Sequence, residues 1–275
     1  MAIITISRQP ASFGDEVCSL VAKKLNYRFV GRSEIENKIL KLGFPKDKLH
    51  KYDEKVPGFF ASLSKDRDEY LDYLQTAVLE EAEDNNCIIV GRGSFIILSE
   101  LENHFSFRII SSMNDRIMRC KALPEYKDLP EKEIIKILEN ADKQRLGFHK
   151  SFFNYQIDDP SLYHGVLNTS LLDIESAASL ITETVKASVT ETKEKAGMHR
   201  IDRLLICQRI VNMLILEYDL GINELRASAN GEKITLFGKA DSSAVVKRAL
   251  TITQAELPEY TVESAIKVVQ DFKVY

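Results

Sequence analysis

The residues able to do chemistry fall into three groups, and the first is the stretch IITISRQPASFGDEV, Ile3 to Val17. An apolar run leads into the small residues Ala11, Ser12 and Gly14 and then into a helical pattern. Small residues let successive backbone N–H groups converge on an anion, and the positive end of a helix dipole behind them favours the same charge. Two features oppose a phosphate loop. Neither a lysine nor a hydroxyl follows the glycine, as the G-x-x-x-x-G-K-[ST] pattern requires. Asp15 and Glu16 fill the first helical turn, where acids stabilise the helix but repel phosphate. The residues alone therefore leave open a phosphate loop or a plain strand-to-helix turn.

The second group is IIVGRGSF, with Arg92 between Gly91 and Gly93 after an apolar strand. Open parallel sheets bind ligands outside the carboxyl ends of their strands, where an arginine offers phosphate a planar bidentate donor. A surface arginine in a tight turn is the alternative. The third group is Arg116, Arg119 and Arg145. Arg116 and Arg119 share a helix face, and Arg145 approaches them if two helices form a hairpin. Converging arginines stabilise the charge that phosphoryl transfer spreads over the moving group, although solvated helix arginines have the same spacing. His50, His104, His149, His164 and His199 show no metal-like spacing or catalytic-triad order, and Cys18, Cys87, Cys120 and Cys207 form no C-x-x-C pair. These read as structural histidines and buried free thiols, with no metal site in the protein alone.

Strand and helix signals alternate over the first two thirds of the chain, the pattern of an α/β parallel sheet with helices on both faces. The strands are AIITIS, YRFVG, CIIV, FSFRIISS and YHGVLNTS. Arg32 to Asp84 reads as helical, broken at Gly43-Phe44-Pro45 and at Pro57-Gly58, and Asn114 as the N-cap of the helix carrying Arg116. Residues 188–199 are polar and contain Gly197, so they read as a linker between a domain at 1–187 and another at 200–275. The second domain reads as a small α+β unit in the order αββαβ, with a hairpin turn at Asn230-Gly231.

A chain of 275 residues suits one large domain and a small one. With 44% hydrophobic residues, 28% charged residues and a net charge of -4, it has no electrostatic reason to bind nucleic acid. No apolar run reaches the ~18 residues of a transmembrane helix and no signal core opens the sequence, so a cytoplasmic protein is expected.

Six segments in order, ITISRQPASFGDEV, NYRFVGRSEI, IIVGRGSFIIL, RIISSMNDRIMRC, ADKQRLGFHKSFF and DDPSLYHGVLNTSLLDIESAASLI, resemble the cytidylate kinase-like family. These are divergent relatives of bacterial cytidylate kinase. The resemblance implies a P-loop NTPase-like fold, with ATP and Mg2+ on the loop from Ser7 through Arg8, Ala11, Ser12, Phe13 and Gly14 to Asp15. It implies a monophosphate acceptor held at Gly91, Arg92 and Gly93, and it places Arg116 and Arg145 on the lid side, with Arg119 one turn after Arg116. Asn168 and Thr169 fall where the family approaches the donor base. The lysine position of ordinary cytidylate kinases falls on Gly14, and this branch commonly lacks the lysine, so Arg8 is the loop cation left to compensate. Ala11 and Phe13 depart further, standing where the branch usually has glycine, and Gly93 stands where the family has aspartate.

The segment GEKITLFGKADSSAVVKRALTITQAEL resembles the BON domain through a strand, the glycine Gly238 after it and the following helix. That resemblance implies a module for a lipid, a small ligand or another protein, with packing or homodimerisation as the alternative. Two functions follow for the whole chain. One is a nucleoside monophosphate kinase; the other is a nucleotide-binding sensor that signals through the BON-like domain.

Overall fold

The computed structural model describes residues 1–49, Tyr52 and 65–269. Ile3–Arg8 (β1) is buried over its first five residues, as a central parallel strand must be. It pairs in parallel with Cys87–Val90 (β3) on one side and His104–Ile110 (β4) on the other. Arg28–Val30 (β2) extends the sheet beyond β3 and Gly165–Asn168 (β5) beyond β4, giving the order β2-β3-β1-β4-β5 with every pair parallel. The chain begins in the middle of the sheet and builds outward to both sides. The crevice where such sheets take ligands therefore opens at the carboxyl end of β1.

One face of the sheet is apolar. Ile4, Ile6, Val90, Phe107 and Ile109 pack on Val17 and Val21 of Gly14–Leu25 (α1) and on Ala178 and Ile181 of Ile174–Ser188 (α8). Each such aliphatic side chain contributes about 1.5–3 kcal/mol by leaving water. On the other side, Arg32–Lys41 (α2) packs on Lys65–Glu83 (α4), which also contacts β3. With helices on both faces, the unit is an open α/β fold around an all-parallel five-stranded sheet.

This second face carries polar side chains where β1 meets β4. Thr5 Oγ1 lies 2.7 Å from His104 Nε2, Ser106 N donates to His164 Nδ1 at 3.0 Å, and Arg108 Nη1 donates to Ser7 Oγ at 3.1 Å. Burial holds His104 down at about 3, with His164 adding to the effect, so the ring is neutral. All four cysteines are buried and unbridged, and burial raises the Cys87 thiol to about 12.

Gly43, with φ 110°, separates α2 from the short helix Lys46–Leu49 (α3), while the break expected at Pro57-Gly58 and the helical placement of His50 lie outside the described residues. A further short helix, Ser94–Ile97 (α5), follows β3. Ser112, not Asn114, caps Met113–Lys121 (α6): its Oγ accepts from Asp115 N at 3.2 Å, and Asn114 lies inside the helix. Glu131–Phe153 (α7) packs back on α6 through Ile117, Cys120, Ile134 and Leu138.

Two compact units divide between Met198 and His199. The division falls within Glu191–Asn212 (α9), so the polar residues read as a linker are helical from Glu191 onward. Gly197 is no breaker there. A Cβ at this position would run into the Asn103 side chain, so the glycine permits a close approach.

In the second unit a π-helical turn, Met213–Glu217, is followed by Ile222–Asn230 (β6) and Lys233–Ala240 (β7), which form an antiparallel hairpin. Ser243–Glu256 (α10) then crosses to Thr261–Val268 (β8), which lies parallel to β7. Leu214, Ile234, Leu236 and Ala249 lie in its core. Asn230 pairs with Lys233, so the turn is Gly231-Glu232, one residue later than expected, with the left-handed position at Gly231 (φ 58°). Gly238 lies inside β7 rather than after it. Its φ is 153°, and a Cβ would stand 2.8 Å from Ile222 Cγ2, where β6 bulges between Asn223 and Arg226. Among the described residues no helix is long and apolar enough to cross a membrane.

Candidate functional site

The loop between β1 and α1 is clasped from outside by its carbonyl oxygens. Arg145 Nη1 donates to Arg8 O at 3.2 Å, Arg116 Nε to Pro10 O at 2.8 Å, and Arg119 Nη1 to Ala11 O at 3.1 Å. Thr169 Oγ1 donates to Ser12 O at 2.7 Å, and Ser12 Oγ closes the turn on Gln9 O at 2.8 Å. The packed pair α6 and α7 delivers all three arginines to one loop, and Asp142, one turn before Arg145, pairs with Arg116 Nη1 at 2.8 Å. Arg119 also donates to Thr169 O at 2.7 Å, tying the loop to the segment after β5. Asn168 stays local, its Oδ1 accepting from Ser170 N.

The other polar edge of the loop is open. Phe13 is the N-cap of α1 but has no capping oxygen, and among the described residues the backbone N–H groups of Phe13, Gly14, Asp15 and Glu16 donate to nothing in the protein. Helix starts normally satisfy these donors by a cap, by water or by a ligand. Ala11 and Phe13 are left-handed, with φ 55° and 57°, at the two positions where the resemblance led to an expectation of glycine. Left-handed residues within such a loop form the concave nest of N–H groups that binds anions. The Arg119 guanidinium carbon lies 3.9 Å from the centroid of the Phe13 ring, which fixes the bulky side chain against the clasp.

Arg8 is less free than its position suggests. Nε donates to Asp15 Oδ1 at 3.0 Å, and a Cβ on Gly14 would stand 2.5 Å from Arg8 Cβ, so glycine makes room for the arginine stem. Ser7 is buried and accepts from Arg108, a residue that sequence reasoning passed over. The signal was a charged residue in a buried central strand, on the same face as the polar His104 and Ser106. A charge there must be partnered. Arg108 Nη2 pairs with Asp158. Beside this arginine a cleft of about 200 Å³ is lined by Arg8, Gln9, Arg108, Asp142, Arg145, Leu146, Ile157 and Asp158. A larger hollow of about 520 Å³ lies on the outward side of α1 between Asp15 and Lys23. It is an open depression that starts at the first turn of α1 and runs along the helix.

Gly91, Arg92 and Gly93 follow β3 with φ 75°, 58° and 70°. The Arg92 side chain is 1% exposed; Nη2 pairs with Glu36 of α2, and Nη1 donates to Tyr70 Oη at 3.2 Å and to Tyr52 O at 3.4 Å. Tyr52 and Tyr70 stack with centroids 4.9 Å apart, and Phe44 and Phe152 pack on them edge-on or tilted. Gly93 has no room for a side chain, because a Cβ would enter the Phe153 ring. The structure thus gathers Arg8, Arg116, Arg119 and Arg145 at one loop, and it buries Arg92 in a separate aromatic cage.

Residues 3–171 match the cytidylate kinase-like family. The chain is 25% identical over 187 residues to the cytidylate kinase of Methanocaldococcus jannaschii, covering 66% of this chain and 97% of that relative. It is 26% identical over 179 residues to the cytidylate kinase of Pyrobaculum islandicum, covering 64% of this chain and 89% of the relative. The crystal structure of an uncharacterized protein from Eubacterium ventriosum superposes with a TM-score of 0.53 at 20% identity, covering 68% of this chain and 99% of that one, and shares the fold.

Proposed function

The chain belongs to the cytidylate kinase-like family, and from that premise we propose that it transfers the terminal phosphoryl group of ATP to a nucleoside monophosphate of the CMP type. ATP lies on the loop from Ser7 to Asp15 and the acceptor near Gly91, Arg92 and Gly93. The observation that carries this reading is the division of polar groups in the loop: its carbonyls are taken by Arg116, Arg119, Arg145 and Thr169, and its leading N–H groups are left for an anion.

In the transfer an oxygen of the acceptor phosphate attacks the terminal phosphorus of ATP. The bond from that phosphorus to the bridging oxygen breaks, and its electron pair leaves on ADP. Chemistry of this kind asks the protein for position and positive charge. Arg116, Arg119 and Arg145 act here as positioning residues that fix the receiving loop, and Arg8 adds charge beside it. Asp15 and Glu16 in the first turn of α1 are hard oxygen donors, so they fit magnesium beside phosphate oxygens. Held there by Asp15 and Glu16, magnesium would supply charge neutralisation for the phosphates.

The test is ADP formation by the purified chain with magnesium-ATP and each nucleoside monophosphate in turn. Turnover is expected with a pyrimidine monophosphate and should fall at least about a hundredfold in Arg92→Ala with the melting profile recorded alongside. Absence of ADP with every acceptor would sink the proposal.

One observation favours a second reading. Arg8 and Arg92 each already meet a carboxylate, Asp15 and Glu36, as they would in a protein that binds a nucleotide without turning it over. Tight nucleotide binding without ADP would establish that sensor. The αββαβ order of the second unit supports a BON-like module at 200–275, binding a lipid, a small ligand, another protein or a second copy of the chain. Gel filtration and vesicle flotation separate these partners. The family premise supports a cytoplasmic location.

A further inference from the structure

We propose that the cleft beside the loop takes the phosphate end of the nucleotide through Arg108, which supplies there the fixed positive charge that a loop lysine would otherwise supply. The proposal rests on the kinase reading above and deepens it. Arg108 stands opposite Ser7 in the register of β1 and β4, at the end of the sheet where the cleft opens. It is 4% exposed, and Ser7 Oγ fixes Nη1 at 3.1 Å. The Tyr163 ring flanks the guanidinium, its centroid 6.0 Å from the central carbon. A charge held so firmly is already organised for an anion.

The other cations of the cleft are committed elsewhere. Arg8 donates Nε to Asp15, and Arg145 donates Nη1 to the carbonyl of Arg8. Arg108 differs in the partner it keeps. Asp158 is 61% exposed, on the turn that precedes Pro160, whereas the guanidinium it pairs with is buried. A buried arginine without a counter-charge is strongly disfavoured, so an anion stands there when no ligand does. A phosphate offers the guanidinium a partner with more charge and more acceptor oxygens than the single Asp158 oxygen now on Nη2, and replaces it while Asp158 turns into water. At about 200 Å³ the cleft is smaller than the ~300–1,000 Å³ of whole-ligand pockets, which suits a phosphate end with the nucleoside outside.

The alternative is that Arg108 and Asp158 only pin the segment before Pro160. Titration of the full chain with tripolyphosphate separates the two, read beside ADP formation and the melting temperature. If Arg108 receives phosphate, Asp158→Asn removes its competitor and tightens tripolyphosphate binding about threefold to tenfold, while Arg108→Lys weakens it at least about tenfold by losing the bidentate fork. Should Arg108→Lys fail to fold, the Asp158→Asn titration decides alone. Unchanged or weaker binding in Asp158→Asn overturns the proposal, as does wild-type affinity in a folded Arg108→Lys. A wild-type protein that binds tripolyphosphate but forms no ADP would sink the kinase reading and leave the assignment of Arg108 standing on the titration.

Discussion

At the end of β1 the chain passes through Ala11 and Phe13 at φ 55° and 57°, and at the end of β3 it passes through Gly91, Arg92 and Gly93 at φ 75°, 58° and 70°. Both turns need left-handed backbone at neighbouring places in one sheet, and they support it differently. In the first turn the strain sits on residues with side chains, and arginines from α6 and α7 hold the loop by its carbonyls. In the second, one left-handed arginine is flanked by two left-handed glycines, and its charge goes inward to Glu36 and two tyrosines. The first turn thus leaves its N–H edge without an acceptor among the described residues, whereas the second shields its cation. Opening the second turn is a conformational demand on α2 and α4; the first asks for none.

The largest effect should come from breaking the second turn at its carboxylate. Glu36→Gln leaves Arg92 buried without its counter-charge, and loss of one partner of a buried pair costs about 3–5 kcal/mol. Arg92→Met should cost less, because Glu36 is 22% exposed and retains Arg32 at 2.8 Å. Urea denaturation of both variants checks the order, and equal costs would mean that the cage is held by its aromatic rings rather than by its charge.

The clasp of the first turn is more distributed, so its single losses should be smaller. Arg119→Ala removes charge-assisted bonds to Ala11 O and Thr169 O together with the contact to Phe13, about 2–3 kcal/mol in all. Nucleotide affinity should fall with it. A variant equally destabilised but with unaltered affinity would show that the clasp serves the fold alone.

Acid should act on the first region before the second, because the sheet beneath β1 and β4 is polar and that beneath β3 is not. Folded His104 is held at about 3, below its ordinary 6.5, so the unfolded chain binds the proton first as pH falls. Stability is therefore full above pH 6.5 and declines below it by about 1.4 kcal/mol per unit, roughly 2 kcal/mol by pH 5. The lowered His164 acts in the same direction. Denaturant midpoints at pH 7 and pH 5 test this, and His104→Gln should flatten the difference.

How legible these regions were follows from the range of their interactions. Strand, small residues and helix stand side by side in ITISRQPASFGDEV, so the first turn and the misfit of Ala11 and Phe13 could be read locally, and the φ values explain why glycine is the usual residue there. The turn at Gly91 to Gly93 was equally visible, but its cage was not. Glu36 and Arg92 are 56 positions apart, and nothing in either segment announces the other. Arg108 was hidden in a strand that its apolar neighbours identified so well that the arginine passed as an irregularity. Gly197 read as a break because a glycine in a polar run has the same appearance whether it ends a helix or admits a neighbour.

The smallest predicted effect tests the comparison most directly, since it asks whether side chains at left-handed positions in the first turn are only a cost. Ala11 has φ 55° and makes little contact beyond the partly buried edge of the α6–α7 cluster, so Ala11→Gly should stabilise the protein by about 0.5–1 kcal/mol. Phe13→Gly relieves similar strain but gives up the ring under Arg119, worth about 0.5–2 kcal/mol, and should come out near neutral or slightly destabilising. Thermal melting of the two variants measures the difference in sign. If both stabilise, the Arg119–Phe13 contact contributes nothing and the clasp works through carbonyl bonds alone. If both destabilise, the left-handed conformation is not strained in this loop, and the two turns are closer in kind than their sequences make them look.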